Sequence, residues 1–166
     1  MSIPFQKILV PLDGSELANA ALPYAQLLAT QAGAPANVAL VLLRIVPEIT
    51  FRRYVGEHTV YDREKMEAEQ FAKVDEAALW LEALVADLRR HHIQAQSLVD
   101  VGDAAEKIVN FAKANPIALI VMSTHGHTGL RKLVAGSVAS QVSTSAPCPV
   151  LLVRAVPARE RVAEQS

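Results

Sequence analysis

The residues best suited to binding chemistry lie between positions 123 and 137, in a stretch that reads STHGHTGLRKLVAGS. The stretch follows an apolar run at 117–122 and precedes a helix-like segment at 138–145. Its glycines let the backbone approach a ligand closely. The first turn of a helix leaves backbone N–H groups without partners and carries partial positive charge. This pattern is typical of an anion site, most often for phosphate.

The spacing of this stretch leaves two interpretations open. Neither G-x-x-x-x-G-K-[ST] nor G-x-G-x-x-G occurs, so the P-loop and the dinucleotide fingerprint are absent. An ordinary connecting loop is about as compatible with the spacing as a phosphate site. Ser137, next to Gly136, favours phosphate because its hydroxyl and amide lie at the predicted helix start. No G-x-S-x-G is present, which argues against a hydrolase built on Ser137.

Other reactive side chains give weaker signals. His125 and His127 flank Gly126 and could contact phosphate or transfer protons near neutral pH, or could be solvent-exposed loop residues. Two histidines without a paired acid make a poor metal site. Cys148 is the only cysteine, so an intrachain disulfide is impossible. Its position between two prolines favours a small buried residue over a redox sensor.

Composition narrows the class of protein. The chain has 166 residues, 51% of them apolar and 20% charged, which suits one globular domain with a core. The net charge of −1 and the lack of a basic stripe argue against nucleic-acid binding. The first six residues lack a signal-peptide pattern, and no apolar run is long enough to span a bilayer. We therefore expect a cytoplasmic protein that does not bind membranes.

The elements that must position these residues alternate between strand and helix. Apolar runs predict buried strands at 7–12, 37–46, 95–101, 117–122 and 149–154. This alternation predicts one parallel sheet with helices on both faces. Ligands of such sheets bind beyond the carboxyl ends of the strands, where the strand order reverses. If strands 1 and 4 are neighbours there, Asp13 and the glycine-rich stretch face one crevice.

The predicted helices carry recognisable signals. Ser15 is a good N-cap for a first helix that Pro23 interrupts, and Asp103 with Glu106 resembles a capping box. Residues 64–92 form the clearest helix, and residues 49–63 before it have no period and predict an extended loop. The apolar stripe of the 64–92 helix consists of Phe71, Val74, Ala78, Leu81, Val85 and Leu88. Trp80 and Leu84 lie beside it, which favours wide core burial over a partner surface.

Three separated stretches make the chain resemble the universal stress protein family over nearly its whole length. They read KILVPLDGSELANAALPYA, VGDAAEKIV, and STHGHTGLRKLVAGSVASQV followed by PCPVLLVR. Family members that bind ATP carry G-x2-G-x9-G-[S/T]. That spacing fits when Gly126 is the second glycine and Gly136-Ser137 is the final pair, with Ser123 in place of the first glycine.

The resemblance implies a set of nucleotide-binding residues. These are Pro11, Leu12, Asp13, Ser15, Ile45, Met122, Ser123, His125, Gly126, Gly129, Gly136, Ser137 and Val138. Asp13 would lie near the ribose and phosphates and help to hold Mg²⁺, whereas Leu12 and Ile45 would contact adenine. The plainer interpretations are that Asp13 caps the first helix, that Leu12 and Ile45 pack in the core, and that Gly129 serves a turn.

The resemblance also implies an architecture and a function. The expected fold is an α/β, Rossmann-like domain at 1–154 with an open parallel sheet of order 3-2-1-4-5, followed by a flexible tail at 155–166. The implied function is regulatory, through ATP and Mg²⁺, in a homodimer joined through strand 149–154, with little or no turnover. The alternative is a dimeric interaction protein that binds no nucleotide. A third possibility, an enzyme of the related adenine nucleotide hydrolase-like fold, lacks a convincing general base.

Overall fold

The computed structural model describes residues 7–31, 38–49, 63–124 and 137–154. The strands in these ranges are β1 (Lys7–Pro11), β2 (Ala39–Val46), β3 (Ala95–Val101), β4 (Leu119–Ser123) and β5 (Val150–Val153). The helices are α1 (Glu16–Asn19), α2 (Leu22–Gln31), α3 (Arg63–Arg90), α4 (Ala104–Ala114) and α5 (Ser137–Ser145). Strands and helices alternate as predicted, except that two short helices stand where one was expected.

The strands form one parallel sheet in the order β3-β2-β1-β4-β5, which confirms the predicted topology. β1 lies at its centre, where Leu9 pairs with Val41 on one side and with Ile120 on the other. The chain moves outward from β1 to β3 in one direction and from β4 to β5 in the other. The strand order therefore reverses between β1 and β4. Because all strands are parallel, their carboxyl ends share one border, here called the carboxyl edge.

Both faces of the sheet are covered, which explains why the strand sequences are continuously apolar. Successive residues of β1 alternate between the faces, with Ile8 and Val10 on one and Leu9 on the other. The first face packs against α1, α2 and α3, and the second against α4 and α5. A buried core on each side fixes the sheet and so the positions of the strand ends.

Helix α3 reaches beyond the sheet. Its 28 residues span about 42 Å, whereas the seven residues of β3 span about 23 Å. Its buried residues therefore start only at Ala77, and Phe71, which the apolar stripe placed in the core, is 71% exposed. The prediction for Phe71 was wrong because periodicity does not show where a helix leaves its sheet. Trp80 and Leu84 pack against the core, as predicted.

The chain between β1 and β2 forms two helices. α1 ends at Asn19, and Pro23 lies in the first turn of α2. A proline is tolerated in the first turn because N–H groups there have no helical partner. Pro23 thus follows the break instead of bending one continuous helix.

Some predicted features lie outside the described residues. They are residues 50–62 of the loop predicted at 49–63, whose last residue begins α3 instead, residues 125–136 of the glycine-rich stretch, and the tail at 155–166. In the part of the chain that the structure describes, none of the helices is long and apolar enough to cross a membrane.

Candidate functional site

A tight turn of Asp13, Gly14 and Ser15 follows β1 at the carboxyl edge. Oδ1 of Asp13 accepts two hydrogen bonds from Ser15, one from the backbone N–H at 2.9 Å and one from the hydroxyl at 2.6 Å. The Ser15 hydroxyl oxygen in turn accepts from the Ala18 N–H at 3.1 Å. The two side chains thus hold each other in fixed orientation, and the Asp13 carboxylate lies half-buried at the end of the central strand.

The turn decides which residue caps α1. Ser15 has an extended backbone and its side chain accepts from the helix, so it is the N-cap, as predicted. Asp13 lies two residues before the cap and accepts hydrogen bonds from Ser15. Gly14 between them has a φ of 85°, a conformation that side chains disfavour. Ser15 therefore caps α1, and Asp13 stabilises the turn through its hydrogen bonds with Ser15.

The other predicted strand-end residues converge on this turn. Pro11 ends β1 beside Leu43, and the register of β1 with β4, continued by two residues, places Pro11 level with Met122. Ser123 ends β4 and is buried. The topology thus brings Asp13 and Ser123 to neighbouring strand ends at the reversal point, which is where this class of sheet binds ligands.

The two residues expected to contact adenine occupy opposite faces of the sheet. Leu12 is 3% exposed in the core beneath α1, α2 and α3, and its N–H bonds to the Leu43 carbonyl at 2.9 Å. Ile45 is half-buried against the core of α4 and α5. Core packing accounts for both residues without a ligand, and adenine contact stays a prediction for each.

The start of α5 also fits the prediction in part. Ser137 is its first residue and is exposed, and Val138 packs partly against the core of the second face. Met122 is buried in the same core. Four of the predicted contacts, His125, Gly126, Gly129 and Gly136, lie outside the described residues. For these four the predicted role rests on the resemblance alone.

One residue that the sequence reasoning passed over, Arg44 of β2, adjoins the turn. Its guanidinium lies 5.3 Å from the ring centroid of Trp80 on α3. A Cβ built on Gly14 would come within 3.1 Å of the Arg44 Cζ, so the guanidinium occupies the space beside this glycine that a side chain would need. The available signal was the charge itself, since β2 reads ALVLLRIV and is otherwise apolar.

A second turn at the carboxyl edge follows β3. Gly102 there has a φ of 140°, and the side chain of Lys107 covers it. The Lys107 Nζ donates to Oδ1 of Asp100 at 3.1 Å. Asp103 accepts from the Glu106 N–H at 2.9 Å and caps α4, as predicted. The charges in this second turn are therefore satisfied locally.

Cys148 precedes β5 and packs partly against the second core. Burial raises the pKa of its thiol above the ordinary value, which lowers the thiolate fraction at neutral pH. The expectation of a small buried residue is met only in part, because Cys148 is half-buried.

The fold defines the class of protein, which is an open, doubly wound parallel α/β protein. Polar residues, among them Asp13, Ser15 and Ser123, lie where the strand order reverses between β1 and β4. A sequence profile described as the Universal stress protein family matches residues 4–154, and the chain belongs to that family. It is 31% identical over 153 residues to universal stress protein YxiE of Bacillus subtilis, covering 90% of this chain and 99% of the relative.

Solved structures repeat the fold. Universal stress protein UspA from Lactobacillus plantarum has a TM-score of 0.76 at 24% identity, covering 92% of this chain and all of that one. A family protein from Arabidopsis thaliana with AMP bound has a TM-score of 0.62 at 16% identity, covering 92% and 94% of the two chains. A universal stress protein in complex with cAMP has a TM-score of 0.57 at 18% identity, covering 92% and 98%. At these identities, likeness establishes the fold.

Proposed function

We propose that this protein binds ATP with Mg²⁺ at the carboxyl edge of its sheet and acts as a regulatory dimer with little or no turnover. The observation that carries the proposal is the Asp13–Gly14–Ser15 turn at the β1/β4 reversal. Two hydrogen bonds from Ser15 fix the Asp13 carboxylate beside the end of β4. In this fold class nucleotides bind beyond the carboxyl ends of the strands at the reversal of strand order, which is where this turn lies.

Two relatives support the adenine nucleotide as ligand class. One fold neighbour is described with AMP bound and another in complex with cAMP. Both ligands share the adenosine and one phosphate, so the triphosphate is the further step of the proposal. It rests on the spacing of Gly126, Gly136 and Ser137, which resembles that of the ATP-binding members.

Magnesium would enter with the nucleotide. Among the described residues no group of three or more His, Cys, Asp or Glu side chains could hold a metal ion. Mg²⁺ characteristically binds one or two carboxylates together with phosphate oxygens and water. Asp13 fits that donor set, because one of its oxygens is already oriented by Ser15. When bound, the cation would offset the repulsion between this carboxylate and the phosphates.

The decisive experiment is calorimetric titration of ATP, with and without Mg²⁺, into the wild type, Ser137→Ala and Ser145→Ala. The two serines are both exposed and stand at opposite ends of α5, so Ser145→Ala is a matched control. We expect Ser137→Ala to weaken binding by about tenfold, the loss of a hydrogen bond to a charged group of about 1.5 kcal/mol. Ser145→Ala should bind like the wild type. Heating purified protein should also release adenine nucleotide.

Absence of wild-type binding at millimolar ATP, roughly the weakest useful affinity, would overturn the nucleotide proposal. The alternative function, a dimeric interaction protein, would then take its place. If both serine variants bind like the wild type, the phosphate does not lie at the start of α5. Ser123, which replaces the first glycine of the family pattern, would be the residue to examine next.

We propose dimerisation through β5, which is an edge strand of the sheet. An apolar edge strand invites pairing with a second copy. Leu151 is 37% exposed, whereas Leu152 packs against the second core, so Leu151→Lys is the informative variant. We expect it to weaken the dimer in light scattering.

Leu98→Lys on the opposite edge strand, β3, is the matched control, because Leu98 is also exposed. A monomeric wild type at tens of micromolar, about the range of transient contacts, would contradict the dimer. A dimer broken only by Leu98→Lys would move the interface to β3. Location in the cytoplasm stays a prediction, in keeping with the single cysteine of the sequence.

A further inference from the structure

Arg44 lies against groups from two other elements, Trp80 of α3 and Gly14 of the turn after β1. Its side chain leaves β2 on the face of Leu40 and Leu42, towards α3, and its guanidinium lies 5.3 Å from the Trp80 ring centroid. A Cβ built on Gly14 would lie 3.1 Å from Cζ, 3.1 Å from Nη2 and 3.2 Å from Nη1. Three nearly equal distances place Gly14 over the plane of the guanidinium and not at its edge.

Neither of these contacts uses the N–H groups of Arg44 as hydrogen-bond donors. Arg63, Arg89 and Arg90 bond to Glu67, the Ala95 carbonyl and Asp87, respectively. Within residues 7–31, 38–49, 63–124 and 137–154, Arg44 forms no ion pair and no hydrogen bond. The residue is half-buried, and its nitrogens are not among the fully buried side-chain atoms without a partner, so its fork still reaches solvent. A cationic fork that is held at the carboxyl edge and reaches solvent is open to an anion.

A phosphate bound beside this turn would also require a nearby cation. The Asp13 carboxylate lies one residue before Gly14, and a carboxylate repels phosphate. The guanidinium of Arg44, which lies beside Gly14 and Trp80, offsets that repulsion. Arginine is well suited to this because its planar fork binds phosphate through two parallel hydrogen bonds.

We propose that Arg44 is an oxyanion-binding residue at the carboxyl edge, and that its ligand is a phosphate group beyond the first in the nucleotide's phosphate chain. Trp80 and Gly14 orient the fork, and the in-plane N–H groups bind the phosphate oxygens. Arg44 would then set the preference for triphosphate over monophosphate. The nucleotide as source of the phosphate rests on the proposed function, whereas the affinity of Arg44 for an oxyanion does not.

The test compares ATP, AMP and inorganic pyrophosphate, titrated into the wild type, Arg44→Met, Arg44→Lys and Arg90→Met. Arg44→Met keeps much of the side-chain volume and removes the charge and the fork. Arg90→Met removes the same charge from an exposed site at the far end of α3 and is the matched control. We expect Arg44→Met to lose at least tenfold in ATP affinity and less than threefold in AMP affinity. Arg44→Lys should recover part of the loss, and Arg90→Met should match the wild type.

Equal losses for ATP and AMP would overturn the proposal, because they indicate that Arg44 only supports the turn. Unchanged affinities would overturn it as well. Urea unfolding of each variant, with binding compared only below the unfolding transition, separates loss of the fold from loss of the contact.

The fluorescence of Trp80 provides a measurement that does not depend on nucleotide binding. Trp80 is the only tryptophan of the sequence, so its fluorescence reports on the Arg44 stack. If the wild type binds no nucleotide, the proposed function fails, and pyrophosphate decides the inference about Arg44. A saturable change of Trp80 fluorescence with pyrophosphate, lost in Arg44→Met, would support it. No change in the wild type would then overturn it.

Discussion

The turn after β1 and the turn after β3 are built from similar parts at the same edge of the sheet. Each has a glycine with positive φ, Gly14 or Gly102, followed directly by the residue that caps the next helix. Each also has a basic side chain lying on the glycine, the guanidinium of Arg44 or the aliphatic chain of Lys107. The two turns differ in the partner of the basic side chain.

In the β3 turn Lys107 and Asp103 each have a partner within a few residues. Lys107 pairs with Asp100, and Asp103 is occupied by capping α4. In the β1 turn a serine does the capping and is held by Asp13, and Arg44 lies against Trp80 without an acid partner in the part of the chain that the structure describes. Among the described residues the two turns thus differ in their basic group, because Lys107 has an acid partner and Arg44 does not.

The largest expected effect comes from adding a methyl group to each glycine. Gly14→Ala and Gly102→Ala should each lower the free energy of unfolding by about 1–2 kcal/mol, because L-residues resist positive φ. Only Gly14→Ala should also weaken ATP binding, by up to about tenfold, because its Cβ would push the guanidinium of Arg44 out of position by a few tenths of an ångström. Urea unfolding and calorimetry measure the two effects. Equal losses of ATP affinity in both variants would remove the distinction between the turns.

The next effect concerns the two aspartates. Asp13→Asn should weaken binding of ATP by about tenfold when Mg²⁺ is present and by less in its absence, because the lost charge acts through the cation. The asparagine oxygen can still accept from Ser15, so the turn itself is retained.

Asp103→Asn is the matched control for this change. Asparagine caps helices about as well as aspartate, so both stability and ATP affinity should stay close to those of the wild type. Calorimetry with and without Mg²⁺ measures both variants. A loss in Asp13→Asn that is independent of Mg²⁺ would argue against a cation at this carboxylate.

The smallest effect is expected at the ion pair of the β3 turn. Lys107→Met breaks the contact with Asp100 but keeps an aliphatic cover over Gly102. Since both side chains are more than a third exposed, the free energy of unfolding should fall by less than about 1 kcal/mol. ATP affinity should not change. A clear change in affinity would show that the β3 turn takes part in the site.

The alternation of apolar runs with helical stretches was enough to predict the sheet, because buried parallel strands and amphipathic helices have different periods. The caps at Ser15 and Asp103 were equally visible, since short polar side chains before a helix have one preferred use. The prediction failed where it had to state how far a helix stays in contact with the sheet. Phe71 fits the apolar period of α3, but the helix has already passed the sheet at that point.

The sequence by itself determined the order of elements, the family and the place of Asp13 at a strand end, because each depends on residues close together in the chain. The alternation of elements left open whether β1 and β4 are neighbours, and the family resemblance supplied that order. The tertiary structure alone decided that Arg44 reaches Gly14. Gly14, Arg44 and Trp80 belong to a turn, a strand and a helix that are distant in sequence. Only packing of α3 and β2 against the turn after β1 brings them together, and local propensity carries no record of such contacts.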